Sequence, residues 1–271
     1  MALISRPAAP RGDIQAIGRE AGMMDATTIE QHSLGRSIIL HLLPGAVLTL
    51  VFALAAPPMI AAGYPSMLAL LLAILVALIP LEIGYLVYQG RRMRGRNTLE
   101  GVVVYREAMP APRIVAFAVL LILWAGVVFA IGAPLETVIQ QALFGWLPEW
   151  FSFGSFTDHL TDYSRPVLLV AAAALVVLNG FAGPIVEEMY FRGYLLPRIS
   201  RFGRWAPVIN ITLFSIYHFW SPWQVITRIV GLLPLAFTVY WKRNIYIGML
   251  AHVLLNLIGV LLTAGMVLSV D

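Results

Sequence analysis

The sequence predicts an all-α, polytopic transmembrane helix bundle, and three observations carry that prediction. Apolar residues make up 60% of the 271 residues and charged residues 12%, about half the usual charged share of a soluble domain. A soluble fold of that composition would lack polar surface to cover itself, so lipid must solvate much of the chain. The apolar residues also gather in runs, several of which reach the roughly 20 residues needed to cross the hydrocarbon as a helix. Finally, basic and acidic loops alternate along the chain, as they do when successive spans cross in opposite directions.

Residues 1–36 are polar and mixed, with Arg6, Arg11, Asp13, Arg19, Glu20, Asp25 and Glu30 among Pro and Gly. No apolar core of signal-peptide length lies there, which predicts a cytoplasmic N-terminal tail. The transmembrane domain is then 37–271, with its motif-bearing core at 166–271. Spans are predicted at 37–56, 66–88, 114–132, from Pro166 past Gly180 toward Leu196, and at 206–220, 225–240 and 245–268. Between them, Leu135 to Phe153 carries Glu136, Gln140, Gln141 and Glu149, which argues for a helix lying at the interface.

The loops after the second, fourth and sixth spans are basic: Arg91, Arg92, Arg94, Arg96, Arg106 and Arg113; Arg198, Arg201 and Arg204; Lys242 and Arg243. The intervening loops carry Glu136, Glu149, Asp158 and Asp162, with Arg165 as their one cation. Basic loops mark the cytoplasmic side. The expected protein is therefore multi-pass in the cell membrane, N-terminus inside and Asp271 outside. The chain has no cysteine, so thiolate metal sites and cysteine nucleophiles are excluded. It has no phosphate-binding loop, no H-E-x-x-H and no nucleic-acid signature. Its expected partners are the bilayer and a peptide or membrane-protein substrate.

A charged side chain at mid-bilayer costs about 2.5–3.5 kcal/mol, yet the fourth span carries Glu187, Glu188 and Arg192 in GPIVEEMYFRG. Glu188 and Arg192 are spaced i, i+4 with the acid first, the favourable order for a helical ion pair. Glu187 points about 100° away and lacks that partner. Upstream, Gly180, Gly183 and Pro184 interrupt the helix, a break tolerated in lipid only against protein or a wet cavity. His218 lies in FSIYHFW on the fifth span, sharing a helix face with Asn210 and Phe214; His252 and Asn256 lie one turn apart on the seventh. At about 1.5 Å rise per residue, Glu187, His218 and His252 fall in one band within the half of the bilayer next to the basic loops. Glu82 lies in the same half, at the edge of this group. His41 and Arg228 have no partner visible in the sequence and read as structural.

Three of these patterns together resemble the CAAX-protease and bacteriocin-processing (CPBP) family of intramembrane endopeptidases. Its EExxxR stands as Glu187-Glu188-Met-Tyr-Phe-Arg192, its FxxxH as Phe214-Ser-Ile-Tyr-His218 and its HxxxN as His252-Val-Leu-Leu-Asn256. The resemblance covers roughly the last hundred residues. It implies a bundle of about eight helices, seven to eight here, around a polar cavity open to the cytosol. It also implies an endopeptidase acting on membrane-associated or C-terminal CAAX-like peptides.

Amide hydrolysis needs an activated water, a stabilised oxyanion and a proton for the leaving amine. Glu187, without an ion-pair partner, is the expected general base. His218 is expected to hold the water, His252 and Asn256 to face the oxyanion, and Glu188 with Arg192 to hold the helix in register. No cofactor is favoured. Zinc is the alternative, with Glu187, His218 and His252 as an O,N,N set and an open position. The rival function is a non-catalytic membrane protein, a bacteriocin-immunity scaffold or a proton-coupled transporter, built on the same polar cluster.

Overall fold

A computed structural model describes residues 29–269 as seven main helical rods, with a further short helix, Phe153–Asp158, in the connection after the third, and no strand among the described residues beyond one isolated bridge, Arg106 to Asn244. Helix α1 is Leu34–Ala61, opened by Ser33, whose hydroxyl accepts from the Arg36 amide at 3.2 Å. Helix α2 is Ser66–Arg94, with one π turn at Ile74–Leu78, and it stops where Gly95 takes φ 70°. Helices α3 (Ala111–Phe144), α4 (Arg165–Phe202), α5 (Trp205–Tyr217), α6 (Val225–Lys242) and α7 (Ile245–Leu268) complete the set. Six rods are long and apolar enough to cross a membrane, and α5, at 13 residues, is apolar but too short. The protein is a multi-pass membrane protein.

The predicted boundaries need three corrections. The third span does not end at Gly132, because α3 runs unbroken to Phe144. Glu136, one of the residues that argued for an interfacial helix, is satisfied inside the bundle by Gln224 (3.0 Å) and by the Thr227 hydroxyl. The fifth span ends at Tyr217 rather than Trp220, and His218 has left helical geometry at φ −78°, ψ 59°. The tail boundary at 36 is also too late. Helix α1 starts at Leu34, and the stretch before it docks on the end of α4: the His32 backbone amide donates to the Arg198 carbonyl (2.7 Å) and the Gln31 side-chain amide to that of Pro197 (3.0 Å). The rest of the expected tail, residues 1–28, and Asp271 lie outside the described residues.

Six of the rods, with the first half of α4, stand in a closed ring, in the order α1, α2, α4, α7, α3, α6, α5. Apolar side chains cover its outside, with Leu54 of α1, Leu123 of α3 and Leu262 of α7 all more than three-fifths exposed, the surface lipid would cover. The second half of α4 leaves the ring and passes into its middle. There Tyr190, Phe191, Arg192, Tyr194, Leu195 and Leu196 are all buried, packed by α1, α2, α5, α6 and α7. That end of the ring is plugged. It is also the basic end, because Arg198 bonds to the Val102 carbonyl and the backbone at Tyr105 and Glu107 bonds to that at Ile245 and Arg243.

The other end, built from Gln140 of α3, Phe151 and Ser152, and the α5–α6 connection, leads into a cavity of about 640 Å³. A polar cavity inside an all-helical bundle is as expected. Its lining, however, includes connections at the end opposite the basic loops and no residue of those loops. If those loops face the cytosol, the cavity faces away from it, so the two orientation expectations cannot both hold.

Candidate active site

The cavity is where the separated sequence motifs meet. Glu187, His218, His252 and Asn256 all line it, together with Asn179, Phe214 and Arg228. The carboxyl group gets there through the irregularity of α4. The helix is α-helical over Arg165–Ala174, widens to π geometry over Leu175–Ala182, returns to α for Gly183–Glu187 and widens again over Glu188–Leu195. Pro184 has no amide hydrogen, and the π turns take up the break that it would otherwise leave. The Gly183 amide reaches Leu178, five residues back.

Glu187 is buried, 6% exposed. One carboxylate oxygen accepts from the Tyr217 hydroxyl at 2.9 Å, and the other lies 3.7 Å from His252 Nε2. The second separation is too long for a hydrogen bond, and a water bonded to both atoms would lie beside the pair rather than between them. His252 is fixed from behind, since its Nδ1 lies 3.1 Å from Glu188 Oε1. Glu188 in turn meets Arg192 Nη1 at 3.4 Å, both side chains wholly buried, and the guanidinium lies 3.9 Å above the Phe214 ring. The expected i, i+4 pair is thus present, and Glu188 has the further task of orienting His252.

His218 stands apart from these carboxylates. Its Nδ1 donates to the Phe214 carbonyl at 2.8 Å, satisfying a carbonyl that the helix end leaves open. That leaves Nε2 without a protein partner among the described residues. Asn256 donates one amide hydrogen to the Asn179 carbonyl at 2.9 Å, which leaves its second for the cavity. The sequence placed Asn210 on one face with His218. Instead Asn210 is wholly buried between His41 Nε2 (3.0 Å) and the Phe191 carbonyl (3.0 Å). So His41 has a partner after all, and so does Arg228, bonded to Ser221 and Gln224.

One polar group goes beyond the sequence reading, and a second, Glu82, stands near the cluster as that reading placed it. Tyr217 was missed; its hydroxyl, one residue before the motif histidine, was the available signal. Glu82 is fully buried with neither oxygen hydrogen-bonded, in the electrostatic neighbourhood of Glu187, Arg192 and Tyr217. As for zinc, the imidazoles are held through Nδ1, which is how a metal ligand is often held. Yet among the described residues no three His, Asp or Glu side chains gather closely enough to hold an ion. The O,N,N set of Glu187, His218 and His252 does not fit a metal in this geometry.

Residues 169–258 match the family model "Type II CAAX prenyl endopeptidase Rce1-like". The match spans about a third of the chain and contains all three motifs, whereas α1, α2 and α3 lie outside it. This agrees with the family that the motifs resemble. No curated protein and no solved structure matches the chain.

Proposed function

Taking the match of residues 169–258 to the CAAX prenyl endopeptidases as premise, we propose that this chain is an intramembrane peptide hydrolase whose general base is Glu187. The observation that carries the proposal is the carboxylate itself. It is buried at the wall of a cavity, held on one side by Tyr217 and open on the other across 3.7 Å to His252. A water bonded to both Glu187 and His252 from the cavity side loses a proton to Glu187 as it attacks the scissile carbonyl. Glu187 then passes that proton to the leaving amine. The second amide hydrogen of Asn256 donates to the oxyanion.

This reading changes the two histidine roles expected from the sequence. His252, beside Glu187, holds the water. His218, separated from Glu187, has its proton on Nδ1, so its Nε2 faces the cavity as an acceptor and takes a hydrogen bond from a substrate N–H. Glu188 and Arg192 act as positioning residues, Glu188 through His252. The substrate is a membrane-associated peptide, which reaches the site through the mouth of the cavity. The non-catalytic alternatives would need only a polar cluster. The cavity against Glu187 favours hydrolysis over a closed scaffold.

The test uses purified protein in nanodiscs and a quenched fluorescent peptide. Glu187→Gln abolishes hydrolysis, because an amide does not take a proton from water at neutral pH. Asn256→Ala lowers the rate by about 10²–10³-fold, the usual cost of one oxyanion donor. Activity survives exhaustive chelation. Robust hydrolysis by Glu187→Gln would sink the reading, and activity lost on chelation and restored by one equivalent of zinc would make Glu187 a ligand instead.

A further inference from the structure

One buried acid has no part in the hydrolytic reading. Glu82 on α2 has no exposed surface, and neither of its oxygens has a hydrogen-bond partner. It lies behind the cavity wall and not on it, where the second half of α2 packs on α4. Glu187, Arg192 and Tyr190 act on it electrostatically from α4. From α5, Tyr217 approaches it as a hydrogen-bonding group, short of a formed bond. The hydrogens of the two hydroxyls go elsewhere: Tyr217 donates to Glu187 at 2.9 Å, and Tyr190 to the Leu40 carbonyl at 2.8 Å. Arg192 makes its ion pair with Glu188, at 3.4 Å. An ionised carboxylate can only accept. Buried without a donor and beside a second carboxylate, it is too costly to keep its charge. A neutral acid in the same place has an O–H to give. The Tyr217 oxygen, its own hydrogen committed to Glu187, has a lone pair to receive it.

We propose that Glu82 is a neutral carboxylic acid whose O–H donates to the Tyr217 oxygen, and that it positions the catalytic base through that tyrosine. The three side chains then form a directed chain from Glu82 through Tyr217 to Glu187, across α2, α5 and α4. A hydroxyl that accepts at its oxygen is held against rotation, and it donates more strongly through its hydrogen. Tyr217 is thereby fixed with its hydrogen on one oxygen of Glu187, and the other oxygen keeps its place toward the water. Glu82 touches neither water nor substrate, so it is a positioning residue. The inference rests on the hydrolytic reading for its kinetic consequence, whereas the protonation and the bond exist without substrate.

The experiment therefore has two arms. In the first, infrared spectra of substrate-free protein in maltoside detergent at neutral pH are compared for wild type and Glu82→Gln. The difference shows the C=O stretch of a protonated carboxyl group, and that band moves in the Tyr217→Phe protein, which lacks the acceptor. Carboxylate bands in its place, or a band indifferent to Tyr217→Phe, overturn the proposal. In the second arm a quenched peptide gives kcat and KM. Glu82→Leu removes the donor and lowers kcat about 3- to 10-fold, the worth of one neutral hydrogen bond, with KM little changed. Glu82→Gln, which still offers an N–H to Tyr217, recovers most of that loss. In a Tyr217→Phe background Glu82→Leu costs nothing further, because the link is already cut. An equal loss in both backgrounds, or Gln as poor as Leu, marks a merely structural acid and overturns the proposal. If Glu82→Leu does not accumulate, the infrared arm and Glu82→Gln still decide. Wild-type protein that cleaves no peptide would refute the hydrolase, and a protonated band that answers to Tyr217 would leave the chain standing.

Discussion

At the residue scale, the site consists of groups that each hold one another in a single orientation. Tyr217 fixes one oxygen of Glu187, Glu188 fixes one nitrogen of His252, and the Phe214 carbonyl fixes one nitrogen of His218. In each case the remaining atom is left for the cavity. This is preorganisation, in which the cost of orienting the reacting groups is met on folding rather than during reaction. Tyr217 gives the sharpest test, because its hydroxyl is hydrogen-bonded to the base. Tyr217→Phe keeps the ring packing against Phe191 and Trp220 and removes that bond. The expected result is a kcat lowered about 10- to 100-fold, the worth of a hydrogen bond to a charged group, with KM little changed and the thermal midpoint near wild type. An unchanged kcat would show that the tyrosine does not position the carboxylate.

At the element scale, close approach of helices decides whether these residues meet. Gly248 on α7 has no room for a side chain, because a Cβ there would run into the Glu188 carboxylate and would lie 3.1 Å from Val239. Gly248→Ala therefore pushes Glu188 away from His252. Activity falls at least 10-fold, while Gly259→Ala on the same helix, where nothing lies within 4 Å, changes it little; equal behaviour of the two variants in a peptide assay would refute the packing argument. The docking of the chain before α1 is a second such contact. His32 is buried against the Tyr194 ring with Arg36, Arg198 and Glu30 around it. Burial first, then the two guanidinium groups, push the His32 imidazole down to about 4 from its ordinary value near 6.5. The folded protein thus favours the neutral ring. Its stability is level above pH 6.5 and falls as pH drops toward 4, by at most about 1.4 kcal/mol per pH unit. Arg36 also holds the Glu30 carboxyl below its usual range, which adds loss in the same direction at the acid end. His32→Gln flattens the upper part of this profile in a thermal-shift series from pH 7.5 to 4.5; a variant profile parallel to wild type would exclude His32 as the source.

At the scale of the whole molecule, the plug formed by the second half of α4 decides which side the site faces. Basic residues crowd the plugged end, and the mouth lies at the other, so the basic-loop rule places the cavity toward the outside. Cysteine labelling tests this in a chain that has no cysteine of its own. Trp146→Cys, beside the mouth, is expected to react with an impermeant maleimide in intact cells, and Asn97→Cys in the basic loop only after the membrane is opened. The reverse pattern would turn the molecule over and return the cavity to the cytosol. Much of this protein was legible in one dimension. The helical class and the seven apolar segments follow from runs of apolar residues, because lipid requires every backbone group to be bonded within its own segment; that the fifth is too short to cross does not. The motif residues stood out for the same reason, as charges too costly to leave in hydrocarbon without a purpose. What the chain order did not contain was distance. The expected depth band came from counting rise along straight helices, and α4 is not straight, so the site lies above a plug instead of opening beside the basic loops. Nor could spacing show that His252 sits beside Glu187 while His218 does not, that Asn210 faces His41, or that Arg228 shares the catalytic cavity. Those facts depend on which helices stand next to one another in the ring and on how deep the side chains of one reach into the next. Only packing in three dimensions settles them.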